Sequence, residues 1–235
     1  MNSIDQNQDT TDLQVYRDEL DSISESLTAE TYRPGPWQKL IKQLEGLSKA
    51  DRAQLTGDVS RVSNQLHGRN GFPQLPVAFG FAFELILLLV SVYLLGQDSV
   101  WVRLAGVVTL GLALQPSLKI LTATLFGVRY AYVFLWYFEP RFKMQFGTYL
   151  LRSRGEKITI NMMGSIGTPL ALVVGFFALQ EVSWLSLACL VGALGAAGMQ
   201  IAAFFAALLG VRKVGPFLLA NLTTPATLGN LIRNR

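Results

Sequence analysis

Two ionisable side chains lie within long apolar runs of this chain, Glu84 in a run over 77–96 and Lys119 in a run over 104–126. At a helical rise of roughly 1.5 Å per residue, both stand about 10 Å from the same end of their helices. A charge at that depth in hydrocarbon is unfavourable unless it is paired, neutralised or hydrated. Glu84 and Lys119 are therefore expected to face each other; Lys119 snorkelling to the interface, with Glu84 protonated or at a cavity wall, stays open as the alternative. Pro116, about a turn before Lys119, should free a backbone carbonyl near Leu112. Asn161 and Gln200 lie in two further apolar runs. Together Glu84, Pro116, Lys119, Asn161 and Gln200 form a candidate intramembrane polar site.

Familiar catalytic patterns do not fit these residues. Zinc hydrolysis needs several converging histidine, cysteine or carboxylate ligands, and His67 is the single histidine. A serine–histidine pair meets the same shortage, although Ser165 lies in a glycine-rich run, and no phosphate-binding Gly-Lys-Ser/Thr loop is present. No cofactor or metal is expected. A lysine- or carboxylate-dependent reaction stays open.

The elements that must position these groups follow from composition. The sequence is 51% hydrophobic and 15% charged, the balance of a membrane protein. Four runs, over 77–96, 104–126, 159–179 and 184–211, are long enough to cross a hydrocarbon core of about 30 Å. Backbone groups in lipid must be satisfied within their own segment, so the runs are helices. The expected fold is an all-α, four-transmembrane-helix bundle spanning 73–214, with an N-terminal helical hairpin and a small interfacial β-hairpin between spans two and three. In the fourth run, Gly198, Ala202, Ala206 and Gly210 recur at intervals that let helix backbones approach. Packing within the chain is the first expectation for this row, and a homo-oligomer the second.

Outside the spans, residues 1–33 carry Asp5, Asp9, Asp12, Asp18, Glu19, Asp21, Glu25 and Glu30 with few large apolar groups, which is expected to leave a disordered acidic tail. Over 34–72, Trp37, Leu40, Ile41 and Leu44, then Leu55, Val59, Val62 and Leu66, recur at helical spacing, with Pro36 suited to a first turn and Ser48 to an N-cap. Over 129–150, Tyr130, Tyr132, Phe134, Trp136 and Phe138 alternate before Glu139-Pro140, and Arg141 and Lys143 alternate after it. The spacing predicts a β-hairpin turning at Glu139-Pro140, with a single interfacial amphipathic segment and no sheet as the alternative, and its aromatic and basic side chains make a candidate interface. Residues 215–235, broken by Pro216 and Pro225, are expected to lie on the membrane surface.

Bases near span ends set the orientation. Arg61 and Arg69 precede the first span; Arg129, Arg141, Lys143, Arg152, Arg154 and Lys157 separate spans two and three; Arg212, Lys213, Arg233 and Arg235 follow the fourth. The short connections over 97–100 and 180–183 carry only acids, Asp98 and Glu181. Both termini and the central segment are thus expected in the cytoplasm, against anionic headgroups of the cell (inner) membrane. Nucleic acid is not the expected partner. Cys189 lies in a span and cannot form a disulfide within the chain. No basic region followed by an apolar core marks the N-terminus as a cleavable signal.

The order of elements resembles the site-2 protease family of intramembrane zinc proteases. A span ends in Leu125-Phe126-Gly127-Val128-Arg129, a strand region follows, and the next span holds Gly164-Ser165-Ile166-Gly167-Thr168-Pro169-Leu170-Ala171. In that family a His-Glu-x-x-His zinc motif precedes the Gly-Val-Arg-like end. Here those places fall on Gln115, Pro116 and Lys119, and the family's later aspartate has no counterpart in span four. The resemblance implies an inactive relative in which Lys119, near a former metal site, supplies a fixed positive charge to Glu84.

Two functions follow as expectations. The first is a non-catalytic membrane protein that binds or scaffolds a membrane partner. The second is a transporter or enzyme handling a small molecule or lipid in a polar cavity. An enclosed cavity at the polar residues would favour the second, and a dry, packed bundle the first.

Overall fold

The computed structural model describes residues 5–136, 139–211, 213–214 and 217–218. Its contacts divide the chain into two units, Met1–Val77 with Gly127–Arg152, and Ala78–Phe126 with Ser153–Arg235. The hairpin segment thus groups with the N-terminal helices, where the sequence suggested a part of the span domain.

In the first unit, α1 (Asp5–Thr28), α2 (Pro36–Glu45) and α3 (Lys49–Gly68) share one core. The acid-rich segment is a helix over 5–28, which corrects the expectation of a disordered tail there. Leu13, Tyr16, Leu20, Ile23 and Leu27 repeat at alternating three and four, and the four aliphatic members of that seam are buried. Net charge concealed the seam, because Asp18, Asp21 and Glu25 lie exposed on other faces of the helix. α2 contributes Leu40 and Leu44, one turn apart, and α3 contributes Leu55, Val59 and Val62. The Ser48 hydroxyl accepts the Asp51 N–H at the start of α3.

The sheet of this unit has the order β1-β2-β3, all antiparallel: β1 (Gln74–Leu75), β2 (Tyr130–Trp136) and β3 (Glu139–Met144). Pro140 pairs with Leu135 and Glu139 with Trp136, so Glu139-Pro140 belong to β3 and not to the turn. β1, two residues beside Pro73, is too short to leave a periodic signal. After the strands, α6 (Phe146–Leu150) docks on α3: Arg52 donates to the Leu150 carbonyl (2.8 Å) and the Gly147 N–H to Ser60 Oγ (3.1 Å). A Cβ on Gly147 would overlap the Thr56 carbonyl, so this contact requires glycine.

Among the described residues, the second unit holds four helices long and apolar enough to cross a membrane: α4 (Val77–Leu95), α5 (Val100–Leu125), α7 (Arg154–Ala178) and α8 (Ser183–Leu208). α5 and α7 begin before their apolar runs do. Ser153 and Glu156 close a capping box on α7, which carries the helix back to Arg154. α7 packs between α5 and α8. Its buried face carries the small residues Gly164, Gly167, Ala171 and Gly175, with Lys157, Ile160 and Asn161 buried nearer its start, while Met162, Ile166, Leu170 and Phe177 are exposed. Beyond α8, β4 (Lys213–Val214) pairs with β5 (Phe217–Leu218). The rest of the expected surface segment, over 219–235, and residues 215–216 lie outside the described residues.

Candidate functional site

The polar groups of the four-helix unit fall on separate contacts along its helices. Glu84 on α4 is only 6% exposed, and Ser117 on α5 donates to its carboxylate at 3.4 Å. Lys119 lays its methylene stem across Gly164 of α7: a Cβ there would come within 3.2 Å of Lys119 Cδ. Three residues on, the helices touch through backbone, since a Cβ on Gly167 would overlap Gln115 Cα. Thr168 Oγ1 donates to Gln115 Oε1 (3.0 Å), and Asn161, buried, donates to the Lys157 carbonyl (2.8 Å) one turn earlier. Pro116 stays within α5 without ending it. Gln200 is half-buried on α8. The extensive neighbour of α5 is α7 rather than the sequence-adjacent α4, because the glycines let α7 approach closely.

The small-residue row of α8 also behaves differently from its first expectation. Gly198 and Ala202 are exposed, and a Cβ on Gly198 would meet nothing within 4 Å. Interior contacts fall instead on Cys189 against Gly175, on Gly192 against Leu172, and on the buried Ala193, Ala203 and Ala207. Ala206, packed beside Ala203 and Ala207, is half-buried, as is Gly210.

A second site forms in the first unit, around the candidate interface of the hairpin. In an antiparallel pair, directly opposed residues share a face. The register sets Tyr132 opposite Lys143 and Phe134 opposite Arg141, after a bulge between Tyr130 and Tyr132. The aromatic face of β2 therefore continues into the basic face of β3. Val133 and Phe142 share the other face, where the Tyr130 and Phe142 rings meet edge-on at 5.4 Å. Trp136 pairs with Glu139 through the backbone. Burial raises the pKa of Tyr130 and of Tyr132, so both hydroxyls stay protonated at neutral pH.

The C-terminal turn of α3 covers this aromatic and basic face. The His67 ring stands edge-on to Phe134 (4.4 Å between centroids), with Tyr132 at 5.7 Å and Phe72 at 6.3 Å. His67 Nδ1 and the Tyr132 hydroxyl share a hydrogen bond of 2.9 Å. One turn before His67, buried Ser63 accepts a hydrogen bond from Lys143 Nζ at 2.8 Å. Desolvation lowers the pKa of Lys143. It also lowers that of His67, and the nearby Lys143 charge adds to the effect.

These groups open onto a cleft of about 310 Å³, closed on its other side by Tyr32, Pro34, Trp37 and Gln38. Arg69 stacks its guanidinium over the Tyr32 ring at 6.0 Å. Of the cleft residues, sequence reasoning singled out Lys143 alone as part of a site. The available signal was Ser63 and His67 at i, i+4 on α3, which places both on one helix face. Among the described residues, no group of three or more His, Cys, Asp or Glu side chains is placed to hold a metal ion.

Compared with known proteins, the chain matches no family model, no curated protein and no solved structure.

Proposed function

We propose that this chain is an integral membrane protein that crosses the bilayer four times and acts without catalysis, binding or scaffolding a membrane partner. One observation carries the membrane part: many large apolar side chains of the four-helix unit face outward. Leu89 is 61% exposed and Leu194 67%, and Val92, Tyr93, Leu112, Trp184 and Leu187 are exposed with them. A water-soluble monomer rarely shows an apolar patch beyond a few hundred Å², whereas lipid tails match such a surface. The distribution of bases supports a topology with both termini and residues 127–152 on the cytoplasmic side of the cell (inner) membrane, near anionic headgroups.

Binding is favoured over transport or lipid chemistry because the polar side chains of α5 and α7 lie at a tight helix crossing. The Gly167 backbone abuts Gln115, the Lys119 stem covers Gly164, and the Asn161 amide serves its own helix. The hairpin, with exposed Arg141 beside its aromatic residues, is the proposed docking element. Descent from an intramembrane protease belongs to the same proposal: Gln115 and Lys119 would stand where zinc ligands stood, with the lysine charge replacing the ion.

Single cysteines in a Cys189→Ala background test the topology with a membrane-impermeant maleimide. Asp98→Cys should label in intact cells, and Lys49→Cys only after permeabilisation. Recovery in the soluble fraction, or the reverse labelling pattern, contradicts the membrane reading. A photo-crosslinking residue at Arg141 should give one discrete protein adduct in native membranes. A chain that forms no adduct and purifies alone with a lipid bound contradicts scaffolding.

A further inference from the structure

The cleft between Trp37 and Lys143 has the chemistry of an anion site, and it lies wholly within the first unit. We propose that it binds a phosphate group, with Lys143 as the cation, Ser63 and Gln38 as polar partners and the Trp37 and Tyr32 rings as apolar walls. None of the residues that line it is acidic, and Lys143 makes no ion pair with a described carboxylate. Its hydrogen-bond partner is a neutral hydroxyl, so among the described side chains no anion balances its charge. Desolvation without a counter-charge lowers the pKa of Lys143, which means that the charged lysine works against folding at neutral pH. A half-buried lysine held at that disadvantage beside an open cleft is suited to a ligand that brings the negative charge.

The surroundings favour the same ligand. The cleft rim includes the first turn of α2, where Trp37 and Gln38 follow Pro36 and no side chain caps the backbone amides. Arg69 over Tyr32 adds a cation at the edge. A phosphate on a soluble metabolite and a terminal phosphate on a lipid present the same oxygens, so one site accommodates either.

The test uses the full chain in nanodiscs of phosphatidylcholine. Phenyl phosphate is titrated by calorimetry, and the same nanodiscs are then prepared with phosphatidic acid. Saturable phenyl phosphate binding that weakens at least tenfold in Lys143→Met supports the site with a soluble source. Protection of Lys143 from amine acylation only in phosphatidic acid nanodiscs supports the site with a lipid source. Lys143→Arg should retain most binding, and Lys143→Met should melt at or above the parent temperature. If Lys143→Met does not fold, acylation of Lys143 in the parent chain decides: a severalfold slower rate with ligand supports the proposal. No saturable binding with either ligand, or binding and acylation that ignore Lys143, overturns it. None of these outcomes depends on a protein partner, so failure here leaves the scaffolding proposal to its own test.

Discussion

The two units of this chain differ in how their helices pack. In the first, Leu20, Leu40, Leu44, Leu55, Val59 and Val62 are fully buried, and acids and bases occupy the outer faces of the helices. In the second, glycine and alanine line the close crossings of α7, a smaller cluster of Val107, Leu179, Leu185 and Cys189 is buried, and many of the leucine, valine and aromatic side chains face outward. A core of large side chains gains most where the surroundings are water. Helices that touch through small residues gain from close backbone contact, which serves where the surroundings are as apolar as the side chains. With a bilayer around the second unit, as proposed, the same substitution should have different consequences in each unit.

Leucine truncation draws the contrast most sharply. Leu55→Ala should destabilise the first unit by about 2–5 kcal/mol, through lost burial and a cavity among α1, α2 and α3. Leu89→Ala on the outer face of α4 should change stability in detergent by less than about 0.5 kcal/mol. Chemical unfolding followed by circular dichroism compares them, and equal losses would erase the distinction.

Within the second unit, Gly167→Ala should cost about 1–3 kcal/mol, because its Cβ overlaps backbone of α5 and not a flexible side chain. Gly195→Ala, whose Cβ meets nothing within 4 Å, should be neutral or slightly stabilising. Thermal unfolding in detergent measures both.

The smallest effect is a pH response confined to the first unit. His67 has a folded pKa below its usual 6.5, so the unfolded chain takes up that proton first as the solution is acidified. Stability should hold above pH 6.5, then fall as pH drops from 6.5 toward the folded pKa. His67→Phe should flatten this dependence while lowering stability throughout, since the hydrogen bond to Tyr132 is lost.

Much of the second unit was legible in the sequence, because an apolar run long enough for a bilayer is a signal that survives without tertiary context. The helices over Val100–Leu125 and Arg154–Ala178 outran their apolar cores for local reasons, such as the Ser153–Glu156 capping box. Which helices adjoin was less legible. Chain order suggested α4 beside α5, and the two do touch, through Ser117 and Glu84 and through Gly106 against Leu95, but the fit of Gly164 and Gly167 against Lys119 and Gln115 makes α7 the more extensive partner of α5. In α8 the spacing of Gly198, Ala202, Ala206 and Gly210 suggested a packed row, yet the interior contacts fall on its neighbours. In the first unit, charge density hid the seam of α1. The cleft was hidden for a different reason: Trp37, Ser63 and Lys143 come from three separate elements, and only the strand register turns Lys143 toward α3. A small polar site assembled from distant segments leaves no local pattern to read.

Labelling of native membranes with a lipid-soluble carbene reagent tests the inside-out unit most directly. Adducts should concentrate on outward side chains of the four long helices, such as Leu89, Tyr93 and Leu194, and spare Leu20, Leu40 and Leu55. Labelling spread evenly over both units, or a chain that fractionates with water-soluble proteins, would contradict a bilayer as the surroundings of that unit.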